Sequence, residues 1–561
     1  MKKRSLTLLM TAVMTAGVAG CSSNSGTTST ASSTAASGES KAETSATNTA
    51  AGKKILSVQV GPNPETLDPA LNSAVDGGNM LLHNFECLLT IDKDGKPVAG
   101  QAETWEVSDD GKTYTFHLRP DLKWSDGSDL TAEDFVYSFQ RVTDPEVAAP
   151  YAETVLGMVE GYDEAVAGNP EALKVEAPDE NTLVVHLKDA TPYFESLAAF
   201  ATLSPVQKET IEKNDDAWAT KAETCVSNGP FYITEWVPSS YILMEKNPNY
   251  WDAENIKLDG IKWNLIEDSN AAYNAYNSGE VLMIKDVPTE EVPSLKDNEE
   301  FHVEPIIGTY YVSMNDEKEP FNNKDVRKAL SLAIDREYLA NTLMQGTYSP
   351  AGNFMGPGWT DTDGTEFVKN SNGGKEYIST TDYEKNLEEA KKLLADAGYP
   401  DGKGLPALTY TTNDAGYHKA VAEYLQQAWK ELGVNLSVDI VEWASFTPMR
   451  RNGDYEVARN GWVGDYSDPS NMLDLVYSTN GNNDGNYNNP EYDKQMDIAR
   501  TTLDAKERSE ALHRAEDILM EDAGLIPLAY YNDFWLQSPK IKDAWHSAYG
   551  YWHFEDADIV E

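Results

Sequence analysis

The feature that most constrains the fold is an alternation of helix and strand patterns between residues 383 and 438. Apolar residues recur with helical spacing along residues 383–397, and Gly398 and Pro400 end that pattern. The elements that follow are a strand over residues 405–411, a helix over 418–432 and a strand over 434–438. Strand, helix and strand at this spacing form a βαβ unit, so the later half of the chain predicts a parallel sheet of the α/β class.

The first half of the chain carries a different pattern, in which short strands follow turn residues. Strand signals cover residues 55–60, 114–118 and 182–187, and the last two are typical of hairpins. Thr131 stands three residues before Asp134, which predicts a capped helix start. The chain has 561 residues, and single hydrophobic cores stop growing near about 250–300 residues. We therefore expect a mixed α+β first half, an α/β second half, and two lobes with a ligand cleft between them.

The charge of the chain excludes several classes of partner. It has 45 Lys and Arg against 92 Asp and Glu, which gives a net charge of −47. DNA and RNA are excluded because their phosphate backbone attracts the opposite charge. The same sign argues against adsorption of the protein surface on anionic lipid. The eight histidines include no pair at a spacing of three or four residues, so the sequence predicts no zinc site.

The first 21 residues have the order of a secretory signal. A basic start at residues 1–4 precedes an apolar stretch and the small residues Ala19 and Gly20, directly before Cys21. This order resembles a bacterial lipobox and predicts a signal peptide at residues 1–20 and a lipid on Cys21; the alternative is an ordinary signal peptide with an incidental cysteine. Residues 21–54 would form a disordered tether, because Ser, Thr and Ala supply 23 of the 31 positions in 22–52.

Two further features leave alternatives open. Cys87 and Cys225 either pair with each other or lie buried as separate thiols. The motifs of phosphate-loop, dinucleotide-binding, serine-hydrolase and H-E-x-x-H enzymes are absent. The 92 acidic residues nevertheless leave a secreted, carboxylate-dependent glycosidase as an alternative function.

Several motifs follow one another along the body of the chain. The longest covers residues 102–138 and contains Lys123-Trp124-Ser125-Asp126-Gly127. The others are Glu65–Ala70, Asn228–Phe231, Asn247–Trp251, Phe321 and Val326–Arg336. In this order the chain resembles, over about residues 55–555, the oligopeptide-binding proteins of peptide ABC importers, which are family 5 solute-binding proteins.

The resemblance implies a fold like that of type II periplasmic binding proteins, with two lobes that close on a central cleft and an extra subdomain. Lobe I would comprise residues 55–86, 211–285 and 531–561, the extra subdomain 87–210, and lobe II 286–530. The implied protein captures oligopeptides at the outer face of the bacterial cytoplasmic membrane and delivers them to ABC transporter permease subunits. It would be a lipid-anchored monomer with no catalytic activity, metal or cofactor.

Residues 457–466 resemble the strand and turn that hold the peptide in this family. The resemblance assigns the ligand's α-ammonium group to Asp465, and main-chain pairing to Gly461, Trp462 and Val463. It assigns the carboxyl end of the peptide to Arg459 and His418. The remaining implied ligand-binding residues are Ala74 and Val75 for main-chain contact, Tyr151 and Trp443 as aromatic pocket walls, and Asn413 at the family's spacing from His418.

Other interpretations of these residues stay open in the sequence. Asp465 could be an ordinary turn residue, His418 a solvent-facing residue at a helix start, and Tyr151 and Trp443 core aromatics. Relatives also bind nickel, haem or oligosaccharides, so a metal chelate or an oligosaccharide is an alternative ligand for the same importer role. Residues 281–287 depart from the family pattern, which leaves the pocket detail near them open.

Overall fold

The computed structural model describes residues 52–64, 66–214, 217–413 and 417–560. The predicted signal peptide, Cys21 and the tether up to residue 51 lie outside the described residues. In chain order, the β-strands are β1 (Ile55–Gln59), β2 (Leu89–Ile91), β3 (Pro97–Ala99), β4 (Ala102–Val107), β5 (Thr113–Leu118), β6 (Val175–Asp179), β7 (Thr182–His186), β8 (Phe231–Val237), β9 (Tyr241–Lys246), β10 (Gly260–Asn264), β11 (Met283–Ile284), β12 (Phe301–Met314), β13 (Tyr348–Pro350), β14 (Leu408–Asn413), β15 (Leu436–Val441), β16 (Val457–Val463), β17 (Ile526–Gln537), β18 (Ile541–Lys542), β19 (Trp545–His546), β20 (Trp552–His553) and β21 (Asp558–Ile559). The α-helices are α1 (Val75–Asn84), α2 (Ala132–Val142), α3 (Ala152–Leu156), α4 (Tyr162–Val166), α5 (Phe194–Leu197), α6 (Lys208–Asn214), α7 (Ser269–Ser278), α8 (Val292–Leu295), α9 (Lys324–Leu332), α10 (Tyr383–Asp396), α11 (His418–Lys430), α12 (Trp443–Arg451), α13 (Pro469–Leu473), α14 (Pro490–Thr501) and α15 (Ala505–Asp522).

An eleven-stranded mixed sheet joins segments from both ends of the described chain. Its order is β15-β14-β16-β12-β17-β11-β1-β10-β9-β8, and β13 pairs with β17. Strands β14 and β15 run parallel, with Leu408 beside Leu436 and Asn413 beside Val441, and α11 connects them. The predicted βαβ unit is therefore confirmed.

The start of β14 differs from the sequence prediction by three residues. The strand begins at Leu408, not at residue 405. The N–H of Leu405 donates to the carbonyl of Gly402 at 3.2 Å, so this residue still belongs to the preceding turn. Pro406 follows and has no N–H to give to a sheet ladder.

The predicted hairpins of the first half form a separate antiparallel sheet of four strands, in the order β4-β5-β7-β6. Phe116 in its second strand lies between Trp105 and Leu183. The predicted cap at the start of α2 is also present, because the Asp134 carboxylate accepts the N–H of Thr131 at 2.8 Å. The mixed character of the first half is thus confirmed.

Two long strands, β12 and β17, pair antiparallel, and β17 carries residues of both large hydrophobic clusters. One cluster draws mainly on residues 56–265, and the other on residues 307–529. The pairing of the two strands shifts register between Pro305 and Thr309 and again between Tyr310 and Tyr311. The first shift lies where β12 enters the second of these clusters, at Ile307.

The two described cysteines do not pair. Cys87 lies 3.2 Å from the hydroxyl of Ser204, and Cys225 accepts the side-chain N–H of Asn84 at 3.4 Å. Both thiols are buried, and burial raises the pKa of each to about 12. The alternative of separate buried thiols is the one that the structure shows. Within the described ranges, no helix has both the length and the apolar character needed to cross a membrane.

Candidate functional site

A cavity of about 270 Å³ lies between the start of α1, the turn after β16 and the C-terminal segment. Its walls come from residues of both hydrophobic clusters and are mostly apolar or aromatic. The lining includes Ala74, Val75, Leu81, Tyr151, Phe200, Val463, Gly464, Asp465, Tyr466, Tyr549, Tyr551 and His553. Five of the residues predicted from the sequence therefore share one cavity: Ala74, Val75, Tyr151, Val463 and Asp465.

Asp465 is the acidic residue of this lining, and its carboxylate contacts two neutral groups. The hydroxyl of Tyr151 donates to Oδ1 at 3.1 Å, and the amide of Asn471 donates to Oδ2 at 3.4 Å. Within the described ranges, no Lys, Arg or His nitrogen lies within 4.0 Å of it. Burial raises the pKa of Asp465 to about 6, although the two hydrogen bonds act against that shift. The carboxylate is thus ionised near neutral pH with no cation of the described residues beside it.

The turn that presents Asp465 depends on Gly464. The N–H of Gly464 donates to the carbonyl of Ile307 at 2.6 Å, so the turn stays attached to β12. A Cβ at Gly464 would collide with the ring of Trp359, so glycine permits this close approach. The N–H of Asp465 then donates to the side-chain oxygen of Asn471 at 3.1 Å.

Strand β16 has an open edge next to this turn. Along its whole length it pairs with β12, but it pairs with β14 only at Val457 and Ala458. In an antiparallel ladder alternate residues point to opposite sides, and Gly464 points toward β12. The main-chain groups of Gly461 and Val463 therefore point toward the unpaired edge.

Arg459 lies at the other end of the open edge, among tyrosines. Its guanidinium lies 5.3 Å from the ring of Tyr310 and donates to the hydroxyl of Tyr531 at 3.3 Å. Among the described residues, its buried Nε has no hydrogen-bond partner, and no carboxylate lies within 4.0 Å of it. His418 contacts the hydroxyl of Tyr310 through Nδ1 at 3.1 Å, and burial together with Arg459 lowers the pKa of His418 to about 4. The imidazole is therefore neutral near pH 7, and Arg459 carries the positive charge.

The comparison with known families fits this arrangement. Residues 96–484 match the model of the bacterial extracellular solute-binding proteins, family 5, middle region. The chain belongs to this family. The family predicted from the sequence motifs is therefore confirmed.

Curated relatives and solved structures of the family extend over nearly the whole chain. The oligopeptide-binding protein OppA of Bacillus subtilis is 36% identical over 518 residues, which are 90% of this chain and 93% of that protein. The periplasmic oligopeptide-binding protein OppA of Salmonella typhimurium is 37% identical over 499 residues, or 88% and 90% of the two chains. The structure of Haemophilus influenzae OppA in complex with the peptide RPPGFSPFR has 32% identity and a TM-score of 0.72, and covers 91% of this chain and 99% of its own. The predicted two-lobed fold class is confirmed by these structural neighbours.

The other predicted site residues of this family 5 protein lie outside the cavity. Trp443 begins α12 with 52% of its surface exposed and packs near Phe446. Asn413 ends β14 as a buried side chain whose Oδ1 has no hydrogen-bond partner among the described residues. Trp462 is half-buried, and its indole N–H donates to Asn471 at 3.1 Å.

Sequence reasoning missed Asn471, which contacts two of the predicted residues. It is the middle residue of α13, after the Asp468-Pro469 turn that the sequence does show. The sequence shows only the turn before Asn471. A buried asparagine in a short helix has no local sequence pattern, so Asn471 could not be predicted as a site residue.

Proposed function

We propose that this protein captures oligopeptides outside the cytoplasmic membrane and delivers them to the permease of an ABC transporter. The observation that carries the proposal is the ionised carboxylate of Asp465, which faces a largely apolar cavity with no cation of the described chain beside it. The names and the peptide complex of the relatives support the same ligand class. The proposal assigns no catalytic residue, metal or cofactor.

The free amino terminus of a peptide fits the Asp465 end of the site. Opposite charges about 4 Å apart attract by ~4 kcal/mol at an effective dielectric constant of ~20, before desolvation is subtracted. The carboxylate is ionised above a pKa of about 6, and an α-amino group is protonated below ~8. Binding should therefore be strongest between these two pH values.

The open edge of β16 would hold the peptide backbone. Val463 offers its N–H and C=O groups and Gly461 its C=O group, whereas the N–H of Gly461 donates to the side-chain oxygen of Asn460 at 2.8 Å. Ala74 and Val75 line the opposite wall. Pairing through the main chain gives affinity for any extended peptide without selecting its side chains.

Arg459 would receive the carboxylate of a short peptide. Arg459 lies six positions before Asp465, which is about 20 Å at ~3.4 Å per residue. An extended peptide covers at most ~3.3–3.6 Å per residue, so a peptide whose two ends lie level with these residues has about six residues. The tyrosines around Arg459 supply hydroxyls that can share the bound carboxylate.

Ligand binding would favour closure of the lobes. The Asp465 side chain belongs to the proposed lobe II, whereas its partner Tyr151 belongs to the proposed extra subdomain of lobe I. A peptide that contacts both walls gains its full set of contacts only when they approach each other. The register shift between Pro305 and Thr309 is the proposed hinge.

The direct test compares free and N-acetylated trialanine by isothermal titration calorimetry at pH 7. We expect acetylation to weaken binding by at least ~30-fold, because it leaves a buried carboxylate without its counter-charge. C-terminally amidated trialanine is the matched control for a change at the other end. Equal affinity for the free and the acetylated peptide would contradict the proposal.

The proposal also places the protein on the membrane through a lipid on Cys21, as a monomer. The motif before Cys21 and the Ser/Thr/Ala-rich residues 22–52 support this anchoring. In the native host, Cys21→Ser should yield protein that is either released into the medium or left unprocessed, with unaltered peptide affinity. A variant that is still processed and still requires detergent for extraction would contradict the anchor.

A further inference from the structure

Asn471 joins two residues of the proposed peptide site through one side-chain amide. Its Oδ1 accepts the N–H of Asp465 and the indole N–H of Trp462, both at 3.1 Å. Its Nδ2 donates to the Asp465 carboxylate at 3.4 Å. All three contacts run to residues at the end of β16, and the side chain is 7% exposed.

The helix that carries Asn471 is itself held in place by a buried ion pair. Asp468 accepts the N–H of Ser470 at 2.9 Å, so it caps the start of α13. The same carboxylate accepts two hydrogen bonds from Arg508 on α15, each 2.8 Å long. A bidentate pair of this kind fixes orientation as well as distance. Asn471 therefore approaches the site from a rigid support.

We propose that Asn471 is the positioning residue of the site, which orients the Asp465 carboxylate and the Trp462 ring and favours the ionised form of Asp465. This inference rests on the proposed function. A hydrogen bond donated to a carboxylate stabilises its charged form, and loss of the donor raises the pKa of the acid. Asn471 would thus widen the pH range in which the protein binds an ammonium group.

Comparison with the Asp465→Asn variant assigns the pH response of the site to Asp465, because His553 also lines the cavity, where its Nδ1 lies 2.8 Å from the carboxylate of Glu555. The titratable side chains that interact with the Asp465 carboxylate are the hydroxyls of Tyr151 and Tyr551. Burial raises the pKa of Tyr551 to about 12 and that of Tyr151 further above its ordinary value. Within the described ranges, no Lys, Arg or His lies within 4.0 Å of the Asp465 carboxylate.

The test measures binding of trialanine between pH 5 and 8 by Asn471→Ala and by the unaltered protein. We expect affinity at pH 7 to fall about tenfold, the lower end for a hydrogen bond to a charged group. The midpoint at which binding is lost on acidification should rise by about one pH unit. Asn386→Ala is the matched control, because Asn386 is also a buried helical amide, 8% exposed, and donates to Ser379 far from the site.

The pH midpoint of trialanine binding distinguishes a positioning role of Asn471 from a general structural role. If Asn471→Ala weakens binding but leaves the midpoint unchanged, the inference is wrong. Adding Asn471→Ala to Asp465→Asn should remove the shift, since the titrating group is then gone. If the alanine variant does not fold, Asn471→Ser carries the same expectation, because its side chain is too short to bridge Asp465 and Trp462.

Failure of this inference is distinguishable from failure of the proposed function. An unaltered protein that binds free and N-acetylated trialanine equally overturns both. An unaltered protein that discriminates the two peptides, together with an Asn471→Ala variant whose affinity and midpoint match it, overturns only the role of Asn471.

Discussion

The two ends of strand β16 carry opposite charges, and their surroundings differ. Asp465, just beyond the strand, contacts Tyr151 from the first hydrophobic cluster and Asn471 from beside the second. Arg459 contacts Tyr310 and Tyr531, which both pack in the second cluster. The negative end can therefore couple ligand binding to the approach of two parts of the molecule, whereas the positive end can select a ligand within one part.

Both ends share an energetic feature. A buried charge without an ionic partner costs free energy, and a ligand that supplies the opposite charge removes that cost. We expect the unliganded protein to be less stable than it would be without these two buried charges, and we expect the same charges to raise its affinity for the ligand. The comparison thus predicts that substitutions at either end lower the affinity for peptide and raise the free energy of unfolding of the unliganded protein.

The largest expected effect comes from Asp465→Asn, which keeps size but removes the charge. Truncation of one partner of a buried charge pair costs ~2–5 kcal/mol, or roughly 30- to several-thousand-fold in affinity. Calorimetry with free and N-acetylated trialanine on both proteins forms a complete cycle. The two changes should be non-additive, since each removes the same interaction. If acetylation weakens binding by the same factor in both proteins, Asp465 is not the ammonium partner.

A smaller effect is expected at the positive end, from Arg459→Met. Hydrogen bonds to charged groups contribute ~1.5–3 kcal/mol, which corresponds to about 10- to 150-fold in affinity for a peptide whose carboxylate reaches this residue. The amidated peptide should bind the variant and the unaltered protein alike. Arg451→Met is the control, because Arg451 is exposed on α12. An equal penalty for amidation in the variant and the unaltered protein would rule out Arg459 as the carboxylate partner.

The smallest effect concerns stability without ligand. The pKa of Asp465 is raised in the folded state to about 6, so its ionised form opposes folding above that pH and its neutral form does not oppose it below ~4. Asp465→Asn should therefore raise the free energy of unfolding by about 1–2 kcal/mol at pH 8. Urea unfolding of the ligand-free proteins should show that this gain in the free energy of unfolding decreases as the pH falls from 6 to 4. A gain that persists at pH 4 would point to a cause other than the charge.

Local patterns predicted part of the secondary structure. The βαβ unit, the hairpin strands of the first half and the helix start at Thr131 all depend on residues within a few positions of each other. At β14 a turn bond from Leu405 and the following Pro406 delay the start of the strand by three residues. The family resemblance named Asp465, Arg459 and Tyr151, but it did not give the contact between Tyr151 and Asp465.

What the sequence by itself determined is the family, the fold class and the segment that holds the proposed ligand site. Periodicity, turn chemistry and the order of motifs are properties of neighbouring residues, and these can be seen in the chain directly. Only the tertiary structure decided that Asp465 has no described cation beside it, that Tyr151 meets it from 314 residues away, and that Asn471 supports it. Burial and distant contacts set the charge state of the carboxylate, and they exist only once the chain has folded.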